Sequence, residues 1–111
     1  MEIRDNDKIC IYAPLATKLC RYESLRLLKY VLKEQRLVGI DLNYVEECSI
    51  EFINALKEIS SVKNIGIFNI PSDIFTLFNV MQIDKCVNLF VSEMDFKANQ
   101  HQLINRKFVV V

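Results

Sequence analysis

A chain of 111 residues, 51% of them hydrophobic, has room for one compact domain and enough apolar material for one core. Fourteen Lys and Arg balance fourteen Asp and Glu, so no excess of positive charge is available for a phosphate backbone or an anionic membrane, and nucleic acid is a poor first reading. Only two glycines occur, Gly39 and Gly66, which excludes a Walker-type loop and a Gly-rich dinucleotide turn alike.

Met1 to Arg4 reads as a short strand, and Asp5-Asn6-Asp7 supplies turn residues before the apolar run Ile9 to Ala13, which predicts an opening hairpin. Pro14 ends that run. After a polar-mixed stretch from Leu15 to Tyr22, the segment Glu23 to Gln35 predicts a helix with Leu25, Leu28 and Leu32 beside Leu27 and Val31 on one broad stripe. Ser24, Arg26, Lys29 and Lys33 are expected on its wet face. Leu37 to Leu42 is short and almost wholly apolar, as suits a strand buried on both faces. The next helix starts close to Ser49, where Phe52, Ile53, Leu56 and Ile59 recur at spacings of three and four. Ser49 can cap its exposed amides, and Glu46, Glu47 and Glu51 set negative charge near the positive end of its dipole.

Asn64 to Ile70 is another apolar strand, and Pro71-Ser72-Asp73 opens a third helix carrying Ile74, Leu77, Phe78 and Met81. Asn88 to Val91 forms a last short strand, and Ser92-Glu93-Met94-Asp95 starts a fourth helix. The tail HQLINRKFVVV ends in the β-prone run Lys107 to Val111, for which addition at a sheet edge is the expectation, against pairing with a second chain or fraying. Strands and helices alternating over short connections predict an α/β domain with a mixed, mostly parallel sheet. Residues 1–111 form one domain in this reading, with 97–111 a C-terminal extension.

No apolar stretch reaches the roughly 18 to 20 residues of a membrane span, and the charged start MEIRDNDK has no signal-peptide run behind it. A cytoplasmic protein without direct membrane insertion is expected. Cys10, Cys20, Cys48 and Cys86 form no CxxC pair and no ligand pattern with the single His101, so free, mostly buried thiols are expected and no metal or cofactor.

Groups for catalysis are scarce. His101 lies in the polar tail and reads as a solvated side chain. Glu46-Glu47 is the densest acidic spot, and reads as surface charge before a helix rather than as an acid/base couple. Cys48, near a helix N-terminus, is a candidate nucleophile, but the two preceding glutamates disfavour its thiolate.

Two stretches carry a resemblance. VGIDLNYVEECSIEFINAL is similar to the central signature of the STAS domain, the sulfate transporter and anti-sigma-factor antagonist family: a strand ending in Asp-Leu, a loop with Asp-Ser-Ser, then a helix. IGIFNIPSDIFTLFNVMQIDKCVNLFVSEMDF resembles that family's closing pattern of strand, Ser/Pro helix start, Leu-Asp step, short strand and Ser-Glu helix start. The likeness runs from Lys8 to about Phe96. It implies a small sheet with about four helices packed largely to one side, and a partner-binding loop before the second helix. In this chain that loop comprises Asp41, Asn43, Glu46, Glu47, Cys48, Ser49 and Glu51.

Carried over by position, Glu47 falls near the family Asp, Cys48 on the usual phosphoacceptor Ser and Ser49 on the residue after it. Ser49 is then the phosphoacceptor candidate. Tyr44, Ile50 and Gln82 stand where the family pattern has glycine. The resemblance implies a non-enzymatic, protein-binding regulatory module whose partner is a kinase-type anti-sigma factor. The alternative is a subunit of an ABC-type lipid transport system, whose partner is the transporter ATPase. A Cys48-dependent enzyme or redox protein is the third reading.

Overall fold

Residues 1–99 are described in a computed structural model of the chain. The segments expected as His101 and the tail strand Lys107 to Val111 lie outside the described residues. The chain opens with β1 (Glu2–Asp5) and β2 (Ile9–Ala13), an antiparallel hairpin that pairs Glu2 with Ala13 and Asp5 with Cys10. Asn6 shapes its turn by accepting the Lys8 and Ile9 amides on Oδ1 at 2.8 and 2.9 Å. Then follow β3 (Lys18–Leu19), α1 (Arg21–Lys33), β4 (Leu37–Asp41), β5 (Glu47–Cys48), α2 (Ile50–Val62) and β6 (Ile65–Phe68). A helix α3 (Ser72–Val80), a 3₁₀ turn at Ile83–Lys85, β7 (Asn88–Leu89) and α4 (Glu93–Ala98) complete the described chain.

Five strands form one sheet in the order β1-β2-β4-β6-β7, parallel except for the hairpin, and β3 and β5 form a separate parallel pair. The α/β class and the mixed, mostly parallel sheet with its N-terminal hairpin are as expected. Side chains alternate across the sheet, so each inner strand serves two layers. Cys10, Tyr12, Val38, Ile40, Ile65 and Ile67 face the first layer, where they meet Leu27 and Val31 of α1, Phe52, Ile53, Leu56 and Ile59 of α2, and Ile74 and Phe78 of α3. Ile9, Ile11 and Phe68 face the second, with Phe90 and the Phe96 of α4.

The two glycines explain how so short a helix closes the second layer. Gly39 and Gly66 are register partners on adjacent β4 and β6. A Cβ on Gly39 would stand 2.7 Å from the Phe96 ring, and one on Gly66 2.6 Å from it. Phe96 therefore lies over a floor without side chains, fully buried, between Phe68 (centroids 5.3 Å apart) and Phe90 (5.6 Å, edge-on).

Helix α1 corrects three expectations. It begins at Arg21, and its buried line is Ser24, Leu27 and Val31; Ser24 is not on the wet face but fully buried. A small residue fits there because its hydroxyl is satisfied within the helix, donating to the Cys20 carbonyl at 2.7 Å. Leu25 and Leu32, expected in the buried stripe, are 51% and 49% exposed. The cysteines are free but not mostly buried: Cys10 is buried, Cys48 and Cys86 half-buried and Cys20 exposed. Lys97 and Ala98, the first residues of the expected extension, belong to α4, and residues 100–111 lie outside the described residues.

The helix α1 ends on Glu34, whose carboxylate takes both Nε (2.8 Å) and Nη2 (2.9 Å) of Arg36. These bonds, with the Arg36 amide, hold the Glu34 pKa down at about 2. A depressed carboxylate stabilises the fold above its unfolded pKa of about 4.3, and that contribution disappears as pH falls toward 2. Glu34→Gln is expected to be less stable than the parent chain at neutral pH, with the gap closing in acid; urea midpoints across that range check it. Gly66→Ala is expected to destabilise by about 1–3 kcal/mol through overpacking, and Phe96→Ala by about 3–5 kcal/mol. The double variant should lose clearly less than the sum, because removing the ring frees the space the methyl needs. Additive losses in urea unfolding would refute the pairing.

Candidate functional site

In a parallel sheet the connections leaving the carboxyl ends of the strands converge on one side, the usual place for a binding site. Here these are the segments after β2, β4 and β6. The connection after β4 is fastened at its root by Asp41, which is buried with 4% exposure. Its Oδ2 accepts Arg4 Nη2 at 2.8 Å, and its Oδ1 accepts the Asn43 amide at 2.9 Å and Asn69 Nδ2 at 3.1 Å. Asn69, at the end of β6, has φ 54°, a left-handed conformation that asparagine tolerates better than most residues. Asp41 thus supports the loop from within and offers no carboxylate to an outside partner.

The rest of the loop is tied to the segment after β2. The Glu46 and Glu47 amides both donate to the Thr17 carbonyl, at 2.7 and 3.0 Å, and the Ser49 amide to the Leu19 carbonyl at 2.9 Å. Between these bonds, Lys18 pairs with Glu47 and Leu19 with Cys48 as β3 and β5. Val45 and Leu42 are buried underneath, while Asn43, Tyr44, Glu46 and Glu47 are exposed above. Tyr44 is 48% exposed and Ile50, at the other end of the loop, 55%.

Ser49 caps α2, its Oγ accepting the Phe52 amide at 3.4 Å, as the sequence suggests. Glu51 is exposed in the first turn, where its charge suits the helix dipole. Glu46, Glu47 and Cys48 line a groove of about 430 Å³ with Lys18, Asp73, Ile74 and Leu77. The loop and the start of α3 are therefore brought together, while Asn43, Ser49 and Glu51 stand outside the groove lining.

Lys18 and Asp73 are the polar groove residues that sequence reading misses. Asp73 had a signal, since Pro71-Ser72-Asp73 opens the helix after the strand next to β4. Lys18 had none.

Burial pushes the Cys48 thiol up to about 11. Near neutral pH it remains protonated, which is the wrong form for a nucleophile or a metal ligand. Among the described residues, no three His, Cys, Asp or Glu side chains are grouped to hold a metal ion. A larger cleft of about 620 Å³ lies beside β7, between Phe75 and Asn79 of α3 and Asp95 of α4, and none of the candidate site residues Asp41, Asn43, Glu46, Glu47, Cys48, Ser49 and Glu51 lines it. No helix among the described residues is long and apolar enough to cross a membrane. What the loop side offers chemically is a fixed, acidic surface with two outward apolar side chains.

Neither a scan against protein-family models nor a search of curated proteins returns a match to this chain. Cys48 is expected to react with iodoacetamide near neutral pH at least about tenfold more slowly than the exposed Cys20, because both burial and the lack of thiolate slow the attack. Mass-spectrometric timing of alkylation at each cysteine checks this, and a fast Cys48 would restore the nucleophile reading.

Proposed function

We propose that this chain is a non-enzymatic, cytoplasmic, STAS-like regulatory module of the bacterial anti-sigma-factor antagonist type. It docks on a kinase-type anti-sigma factor through the loop before α2. The observation that carries this reading is the loop itself: Tyr44 and Ile50 project from a backbone pinned at Thr17, Leu19 and Asp41, amid Glu46, Glu47 and Glu51. Aromatic and aliphatic anchors in a polar rim are the usual composition of a protein interface. The rim charge selects a partner with basic groups around apolar hollows.

The backbone at Gln82 supports the family reading. The resemblance aligns Gln82 with a family glycine, and its φ of 60° is a left-handed conformation that glycine adopts most easily.

Ser49 is the phosphoacceptor in this proposal. A phosphate there adds about −1.5 to −2 charges between Ile50 and the glutamates. Its bulk and hydration oppose burial of Ile50 against a partner, so phosphorylation weakens docking. The cap bond from the Phe52 amide favours a second reading as well, because a hydroxyl already engaged suits a constitutive contact, as in a lipid-transporter subunit bound to its ATPase.

Size-exclusion chromatography of the chain with purified kinase-type anti-sigma factor, and separately with transporter ATPase, tests both readings. An equimolar complex with the first is expected, weakened about 30-fold by Tyr44→Ala or Ile50→Ala. With kinase and ATP, one phosphate should appear on Ser49 and be absent from Ser49→Ala. A complex with the ATPase alone selects the second reading, and no complex with either refutes both.

A further inference from the structure

The overall charge balance does not hold locally. Helix α1 carries Arg21, Arg26, Lys29 and Lys33 against a single carboxylate, Glu23. Elsewhere Arg4, Arg36 and Lys97 are each engaged by acidic side chains. Among the described residues, none of the four α1 cations forms an ion pair; Arg26 instead lies 6.0 Å from the centroid of the Tyr30 ring. All four are exposed. Arg26, Lys29, Tyr30 and Lys33 frame a shallow hollow of about 340 Å³ on the outside of the helix, large enough for an anionic headgroup.

The same outward side is partly apolar. Tyr22, Leu25 and Leu32 are 69%, 51% and 49% exposed, and with Lys29 they recur at spacings of three, four and three, which aligns them along the helix. An apolar row flanked by unpaired cations on a convex helix matches the interfacial region of an anionic bilayer, where leucine and tyrosine enter the headgroup boundary and Lys and Arg meet lipid phosphates. Nucleic acid would satisfy the cations but leave the leucines without a partner.

We propose that the outer face of α1 is a peripheral docking surface for anionic lipid bilayers, with α1 lying flat on the membrane and the 42–49 loop left free. The surface is separate from the loop proposed above, so either assignment can fail without the other.

Co-sedimentation of the full chain with phosphatidylcholine vesicles, and with vesicles containing about 30 mol% phosphatidylglycerol, tests it. Binding is expected to the anionic vesicles only, and to weaken with salt. Each cation at such a surface contributes roughly fivefold to partitioning, so Arg26→Gln/Lys29→Gln/Lys33→Gln should lower it about 100-fold. Leu25→Ser/Leu32→Ser should lower it roughly tenfold. Circular dichroism verifies that both variants remain folded, and Tyr44→Ala should bind vesicles like the parent chain. Absence of binding to anionic vesicles at low salt overturns the proposal. So does binding that is indifferent to the leucine variant and fully displaced by polyglutamate or duplex DNA, which would assign the face to a soluble polyanion.

Discussion

The ring of Phe96 over the paired Gly39 and Gly66 is the contact on which the second side of the sheet depends. Six residues of helix are far too few to persist in water by themselves. The helix α4 exists because its one large buried side chain finds a socket, and the socket exists because two neighbouring strands both omit a Cβ at the same level. Ser92 then needs only to cap the Asp95 amide, at 3.2 Å, to set where the helix begins. The scarcity of glycine that argues against phosphate-binding loops thus has a constructive side, since the chain uses both of its glycines at one packing site.

The same docking of α4 feeds into the candidate site. With α4 in place, Glu93 reaches Arg4 Nη2 at 2.6 Å, and Arg4 in turn holds Asp41 at 2.8 Å. Arg4 also takes Glu2, so one guanidinium joins the hairpin, the end of β4 and the last helix. Partial burial works against the ionised form of Glu93, but hydrogen bonds from Lys97 and Arg4 outweigh it and hold its pKa below the ordinary value. Asp41 retains further bonds to the Asn43 amide and Asn69, so the buried charge is both paired and hydrogen-bonded. A loop at the carboxyl end of the central strand is thereby anchored by an interaction assembled around the second face of the sheet.

Much of this architecture is legible in the sequence because it follows from apolar period and punctuation. The hairpin, the strands through Ile40 and Ile67, and the caps at Ser49 and Ser92 all come from local patterns that burial then reinforces. The strands β3 and β5 were not legible, since two residues carry no periodicity and the pairing of Leu19 with Cys48 is created by neighbouring connections. Helix α1 misleads because leucine is common around it; its buried side holds the small Ser24 where a periodic reading prefers Leu25. At the candidate site, Glu46, Glu47 and Cys48 could be picked out as a cluster, but not Lys18, which joins them only through the fold. Nor does sequence distinguish the inward Asp41 from the outward glutamates, a difference that rests on Arg4, 37 positions away.

The short ladder between β3 and β5 also bears on recognition. Thr17, Leu19 and their partners restrain two connections as one body, with buried Val45 and Leu42 beneath them. Side chains such as Tyr44 and Ile50 are therefore offered from a backbone whose freedom has already been lost during folding. Ordering an interface on association commonly consumes much of the gross contact energy, and a surface ordered in advance avoids that loss. For the docking proposed at this loop, the entropy of ordering the backbone is therefore already spent before any partner arrives, so that even a small patch would keep most of the energy of its contacts.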